Sequence, residues 1–386
     1  MPITRSSTSG SRLRAAATRI ADVALPLVFF AAIATVLALT DWNVPPGTIN
    51  ELEMRPAATM PAWHWTRFDR FFPPFYSFFE DNFGLRIWAI RTRSLLWLWF
   101  LRRDPAFDPA FSANVYPGRD NWLFYAGAKV PEDILHADPL SKSALDDWQR
   151  GIAERRAWLA ARGIRYLFVL APDKRTIYPE RLPAFFAAPR PGLTRRQQLD
   201  RRLAGEPAWF DLTPTLDAAK EAGRVYYRWD THWRNEGAWA AYKATMLRLG
   251  LPALPRDLGG TMRPDAHDGD LGRMIGLRME DEDTMPLAAC PKPAPADEAA
   301  ALAGLEGADP LYAQRPTICP GAPGRVLMFN DSFGSMWEPY LSSQFGFAAY
   351  AWTEPTFDRF KKVVEAVRPT VVIEERVERF LILPLR

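Results

Sequence analysis

The sequence predicts an α/β domain built on a mainly parallel sheet and preceded by one apolar helix that anchors it in a membrane. Three observations carry this expectation. From about residue 111, short apolar runs alternate with stretches of helical spacing, the pattern of parallel strands joined by crossover helices. Between Asp22 and Thr40 lie 17 residues without a charge, at the lower edge of the ~17–25 that span a bilayer. Otherwise the chain is ordinary: 48% of its 386 residues are hydrophobic and 24% charged. That composition excludes a disordered chain and a polytopic membrane protein, and the length allows two or three domains of roughly 100–200 residues.

Residues 1–19 form a basic arm, rich in Ser, Thr and Arg and free of acids. Arg5, Arg12, Arg14 and Arg19 precede the apolar segment, which places its start in the cytoplasm and its end outside. Residues 20–40 read as an uncleaved signal-anchor, because the apolar run exceeds the ~7–15 residue core of most cleaved signal peptides. A cleaved signal peptide and a buried soluble helix are the alternatives. Either membrane reading exports residues 41–386, in a bacterium to the periplasm. The formal charge of +3 resides in those four arginines and Asp22. The remainder is neutral and lacks the basic surplus that a phosphate backbone requires, so nucleic acid is excluded as a partner. Two cysteines exclude a disulfide scaffold and a four-thiolate zinc site.

Residues 41–110 are an aromatic, Pro-punctuated lead-in, with WHW at 63–65 and FDRFFPPFYSFFEDNFGLR at 68–86. Residues 85–101 predict an apolar helix containing Trp88, Trp97 and Trp99. It packs on the main domain or lies near the membrane surface, unless these are ordinary core aromatics. The main domain is expected over 111–386. It opens with VYPGRDNWLFY (115–125), a hairpin turning at Gly118–Asn121, and a helix over 142–162 that stops at Gly163. RYLFVL (165–170) is a short apolar run of the kind buried in parallel sheets. AWFDL (208–212), RVLMF (325–329), FAAYA (347–351) and TVVIEE (370–375) repeat that pattern, and helices fit at 234–249, 335–345 and 357–367. The Pro/Ala-rich stretch 286–323 reads as a surface insertion. It contains Cys290 and, near its end, Cys319, which an oxidising compartment would allow to pair.

A general base near neutral pH is most often His, and the chain has four. His64 sits in the aromatic lead-in, His136 in a loop, and His267 in the turn-like acidic stretch RPDAHDGDLG. His232 lies in YYRWDTHWRNEG (226–237), two residues after Asp230. In an extended segment such residues share a side, so Asp230 can orient the ring and stabilise its imidazolium, although a bare Asp-x-His is common. In RVLMFNDSFGSMWEPYL (325–341) a strand runs into a helix, with Ser332 at the junction. Ligands bind there in open α/β sheets, and backbone N–H groups there can hold an oxyanion. Helix capping by Ser332 is the alternative. Ser332, His232 and Asp230 together supply nucleophile, base and orienter.

The block Asn330-Asp331-Ser332-Phe333-Gly334 resembles the first block of SGNH-type esterases, usually Gly-Asp-Ser. Here Asp-x-His precedes the Ser, a permuted order similar to the SGNH-like domain of the alginate O-acetyltransferase family, in its J- and X-type proteins. FPPFYSFFEDNFGLR (72–86), GRDNWLFY (118–125), APDKRTIYPERLP (171–183), WDTHWRNEGAWAAY (229–242), GDLGRMIGL (269–277) and VVIEERVERF (371–380) resemble the same family, covering roughly residues 68–386. The resemblance implies a three-layer SGNH-like fold with Ser332, His232 and Asp230 as catalytic triad. It further implies an acetyl-serine intermediate and acetyl transfer to hydroxyls of an exopolysaccharide. The enzyme would stand in the inner membrane with its domain in the periplasm, beside a membrane-bound O-acyltransferase that supplies acetyl groups. No metal or nucleotide cofactor is called for.

The sequence departs from the family's form in placing Asn330 before Asp331, which makes the approach bulkier and adds an amide donor, and in the insertion, which could reshape the acceptor groove. With no carbohydrate-binding module after the domain, the J-type arrangement is expected. Lys174 and Tyr178, after the strand at 165–170, and Glu375 and Arg376, ending the last strand, are candidate substrate or oxyanion contacts beside Asn330 and Asp331. A charged loop and an Arg376–carboxylate pair are the duller alternatives. Trp233 is a candidate sugar platform, or core beside the triad. Two other functions use the same features: an acetylesterase with water as acceptor, and a non-catalytic scaffold of an exopolysaccharide secretion complex.

Overall fold

The computed structural model describes residues 8–39, 49, 52, 55–63, 65–100, 114–187, 189–288, 290–295, 316–352 and 354–385. The start of the basic arm, His64 and the middle of the insertion lie outside the described residues. The chain divides into two compact units.

The first unit holds residues 1–102 with Met274–Leu277. Its α1 (Thr8–Leu39) contains the whole charge-free run. Among the described residues, Asp22–Leu39 is the one stretch long and apolar enough to cross a membrane. α2 (Phe72–Asp81) starts on prolines, whose fixed φ suits a first helical turn. It ends at buried Asp81, which Arg55 grips with two nitrogens (2.6 and 2.8 Å) and Arg86 with one (2.8 Å). α3 (Leu85–Phe100) is the expected Trp-bearing helix. Tyr76 and Trp88 are exposed rather than packed in a core, and the side chains of Trp97 and Trp99 lie outside the described residues.

The second unit holds the remainder. β1 (Val115–Pro117) and β2 (Leu123–Tyr125) form the expected hairpin, with Tyr116 opposite Phe124. α4 (Lys142–Ala160) is capped by Ser141, whose Oγ accepts the N–H of Ala144. It ends just before Gly163, which adopts φ +70°, a conformation that suits glycine at a helix end. β3 (Arg165–Ala171), α5 (Arg195–Arg202), β4 (Trp209–Asp211), α6 (Thr213–Lys220) and α7 (Asn235–Arg248) follow. β5 (Met262–Asp268) and β6 (Glu280–Pro286) make a separate antiparallel pair, from Met262 opposite Pro286 to Asp268 opposite Glu280. Sequence periodicity missed this pair because its strands carry acids where a half-buried strand carries apolar residues.

β7 (Lys292–Pro293), β8 (Thr317–Ile318), β9 (Arg325–Phe329), α8 (Glu338–Gln344), β10 (Phe347–Ala351), α9 (Phe357–Val367) and β11 (Val371–Val377) complete the chain. The main sheet runs β4-β3-β11-β9-β10-β8-β7. Its first five strands are parallel, and β8 and β7 add antiparallel at one edge. The insertion is therefore partly sheet. Cys290 and Cys319 are disulfide-bonded across it, with their Cα atoms 5.3 Å apart.

Alternate strand residues sort onto opposite faces, as the pleat requires. Leu167, Val169, Met328 and Ile373 join a core with Leu216 of α6, Ala241 of α7 and Tyr340 of α8. Phe168, Leu170, Leu327 and Val372 join another with Trp148 of α4, Leu199 of α5 and Phe360 of α9. The result is a three-layer α/β/α sandwich in which the carboxyl ends of β3, β9 and β11 lie side by side.

Candidate active site

Polar side chains gather at that carboxyl edge, where helix and loop starts expose backbone groups to ligands. Residues 225–234 double back on themselves: Arg234 N donates to Val225 O (2.8 Å) and Tyr227 N to His232 O (3.2 Å). At the tip, Asp230 Oδ1 accepts the backbone N–H of His232 (2.7 Å) and lies 2.6 Å from its ring Nδ1. The Asp-x-His spacing thus works through a tight bend closed by the carboxylate itself, not through the extended segment expected from sequence.

Asp230 is 2% exposed. Its Oδ2 accepts from the N–H of Asp270 (2.8 Å) and faces Nε2 of His267 at 2.9 Å. Burial works against its charge, but His232 and His267 outweigh burial and hold the carboxyl well below its usual range. Burial likewise pushes His232 down, and the adjacent Asp230 charge more than compensates, raising it above 6.5. With Nδ1–H given to Asp230, Nε2 carries the lone pair. That nitrogen is buried without a hydrogen-bond partner.

Ser332 stands on a turn that three carboxyl oxygens organise. Asp331 Oδ1 accepts from Phe333 N (2.9 Å) and its Oδ2 from Val377 N (2.7 Å). Glu375 Oε2, reaching up from β11, accepts from Asp331 N (3.2 Å) and Gly334 N (3.1 Å). A side-chain carbon at Gly334 would come within 2.8 Å of that oxygen and 2.6 Å of Asn330 Cβ, which explains glycine two residues after the Ser. Phe333 places its ring 4.9 Å from the His232 imidazole and 5.0 Å from Trp233. The half-buried Ser332 keeps both its N–H and its Oγ free of hydrogen bonds, so Oγ is not bonded to His232 Nε2 here.

These contacts narrow the sequence expectations. The N–H groups of Asp331, Phe333 and Gly334 are taken, leaving the N–H of Ser332 as the unengaged backbone donor on this turn. Asn330 does not add a donor to the cleft: it is 3% exposed and its Nδ2 bonds Asp331 O (2.8 Å). Trp233 is fully buried against Phe333 and Trp337, so it packs the core and offers no platform for a sugar. Tyr178 is buried against Trp122, and its hydroxyl accepts from Val225 N (3.0 Å), bracing the loop. Arg376 points away from the site because successive strand residues face opposite ways. It donates to Leu383 O (2.9 Å) and lies 3.5 Å from Glu354.

Lys174 is buried, and its Nζ donates to the carbonyls of Tyr227 (3.1 Å), Arg228 (3.1 Å) and Asp230 (2.6 Å). All three protons are engaged, so it positions the loop rather than touching substrate. Burial pushes it down to about 7 against the pull of Asp230, Asp270 and Asp281.

Sequence reasoning missed four participants. His267 and Asp270 both reach Asp230. Thr231 donates from N and Oγ1 to Asp270 (2.7 and 2.6 Å). Arg379 pairs with Asp173 (2.7 Å) and lies 5.2 Å from the Phe333 ring. The available signal was the glycine of His267-Asp268-Gly269-Asp270. A side-chain carbon at Gly269 would collide with the Trp229 carbonyl, and that close approach delivers Asp270 to Asp230.

The model of the SGNH hydrolase-like domain of the acetyltransferase AlgX matches residues 115–314. The probable alginate O-acetylase AlgJ of Pseudomonas aeruginosa is 31% identical over 127 residues, which is 32% of this chain and only 30% of that protein. Among solved structures, the O-acetyltransferase domain of Pseudomonas putida AlgJ is 19% identical, with a TM-score of 0.42 over 71% of this chain and 94% of its own. Bacillus cereus PatB1 is 14% identical, with a TM-score of 0.48 over 68% and 95%.

Proposed function

Because this chain belongs to the family of AlgX-type SGNH hydrolase-like acetyltransferase domains, we propose that it transfers acetyl groups to hydroxyls of an exopolysaccharide. The observation that carries the reading is the Asp230–His232 pair, 2.6 Å apart, with Nε2 unengaged beside the turn that presents Ser332. His232 Nε2 takes the proton of Ser332 as Oγ attacks an acetyl ester or thioester. The proton passes to the leaving group as its bond to the acetyl carbon breaks, and acetyl-serine remains. A sugar hydroxyl then gives its proton to His232 as it attacks the acetyl carbon; the bond from that carbon to Ser332 Oγ breaks, and His232 returns the proton to Oγ. The Ser332 N–H faces the developing oxyanion.

Alginate is the acceptor class we favour, from the name of the AlgJ relative. α1 would anchor the chain in the inner membrane with the second unit in the periplasm, near a membrane-bound acyltransferase that supplies acetyl groups. The test is detergent-solubilised full chain with a chromogenic acetyl ester, with intact mass recorded after brief incubation. Wild type is expected to gain one acetyl group, and Ser332→Ala none. Added polyuronate oligosaccharide should collect the acetyl group faster than water does. Equal acetate release with and without acceptor would point to an esterase, and normal polymer acetylation in cells carrying Ser332→Ala would point to a scaffold.

A further inference from the structure

Asp230 serves two imidazoles. Its Oδ1 meets His232, while Oδ2 lies 2.9 Å from Nε2 of His267, which arrives on β5 from 37 residues away. His267 is itself fixed: its ring stacks on Tyr227 at 4.0 Å and 10°, and the Tyr227 hydroxyl donates to Asp283 Oδ2 (2.7 Å). A carboxylate bonded only through Oδ1 could rotate about its own axis. The His267 contact and the Asp270 N–H (2.8 Å) on Oδ2 remove that freedom.

We propose that His267 is a positioning residue, which holds Oδ2 of Asp230 so that Oδ1 stays aimed at His232 Nδ1, and whose charge tunes how strongly Asp230 pulls on that proton. This rests on the reading of His232 as base and Asp230 as its orienter. The groups facing His267 are mostly acids. Asp265 on its own strand lies 3.9 Å from Nδ1, and Asp281 stands opposite on β6 with Asp283 beyond it. Asp270 follows β5, and Asp230, His232 and Tyr227 come from the bent loop, with Lys174 behind its carbonyls. Burial lowers His267, but the hydrogen bond and charge of Asp230 outweigh it and raise the ring above 6.5. A protonated His267 competes with His232 for Asp230 and weakens the base. Deprotonated, it still donates Nε2–H while releasing that competition.

The test compares His267→Phe, which keeps a ring on Tyr227 but no donor, with His267→Gln, which keeps a neutral donor. In the full-length protein, kcat/KM of His267→Phe is expected to fall between about tenfold and a hundredfold, the scale of small misplacements of catalytic groups. His267→Gln should recover most of it. In His267→Gln the acid limb should move to higher pH, because a competing cation is gone while Asp230 stays aimed at His232. Imidazole titration by NMR, in a chain with four histidines, should show the same upward move of His232 whether or not turnover is seen. A midpoint of His232 unchanged in His267→Gln overturns the proposal, and so does equal loss of rate in Phe and Gln. If no acetyl adduct forms on wild type but the His232 midpoint still moves, the acetyl-transfer reading fails and the positioning role stands.

Discussion

Glu375 lies beneath the turn that carries Ser332, 4% exposed, with one oxygen accepting two backbone N–H groups and the other, Oε1, without a partner. Burial first, and the neighbouring Asp331 charge second, push its carboxyl well above 4.5. The neutral acid is therefore the native form over the pH range just above that value, and Glu375→Gln imitates it. Glu375→Ala instead strands two buried N–H groups at about 1–3 kcal/mol each, so a loss of about 2–6 kcal/mol is expected. The Gln variant should stay within about 1 kcal/mol of wild type, because its amide oxygen keeps both bonds.

The pH dependence follows from the sign of the shift. A pKa raised in the folded state gives stability that is full below 4.5 and is lost as pH rises through the folded value. Wild-type stability should thus decline with rising pH through this group, while that of Glu375→Gln should not. Urea unfolding of the full chain in detergent, repeated across pH, measures both. If Gln proves as damaging as Ala, and wild type shows no decline, then Glu375 is ionised in the native state and the reasoning fails.

Lys174→Met removes the donor to three carbonyls and should cost about 3 kcal/mol or more, with a matching loss of turnover because the Asp230 bend loosens; unchanged rate and unfolding midpoint would contradict this. Because His232 is raised above 6.5 and must be neutral to act as base, kcat/KM should fall as pH drops through a midpoint above that value. Asp230→Asn should lower the midpoint by removing the charge that raises it, and should cost on the order of a thousandfold or more in rate. Reducing the Cys290–Cys319 bond, which spans 29 residues, should lower stability by about 2–4 kcal/mol, read as a drop in the urea midpoint on adding reductant. Gly269→Ala should damage activity more than folding, since the collision with the Trp229 carbonyl displaces Asp270 from Asp230; full activity in that variant would remove Asp270 from the account.

Much of the frame was legible because it is written in local periodicity. RVLMF and FAAYA match β9 and β10, and 357–367 matches α9, since a buried parallel strand or a one-faced helix needs its apolar residues at fixed short spacing. The β5–β6 pair was illegible for the converse reason. Its strands, MRPDAHD and EDEDTMP, are half-exposed and acid-rich, so the alternation that marks a strand never appears. The predicted helix at 335–345 begins instead with one 3-10 turn, Gly334–Trp337, whose first N–H is held by Glu375.

The sequence alone determined the membrane-length apolar helix, the α/β alternation and the residue types able to serve as nucleophile, base and orienter, because each depends on composition or on neighbours a few positions apart. Only the tertiary structure decided which polar groups face the cleft and which brace it. Lys174 meets the carbonyl of Asp230 across 56 residues, His267 meets its carboxylate across 37, and Glu375 meets Gly334 across 41. Buried donors and acceptors must find partners wherever the chain path delivers them. Those pairings follow from strand order and register, which no local spacing records.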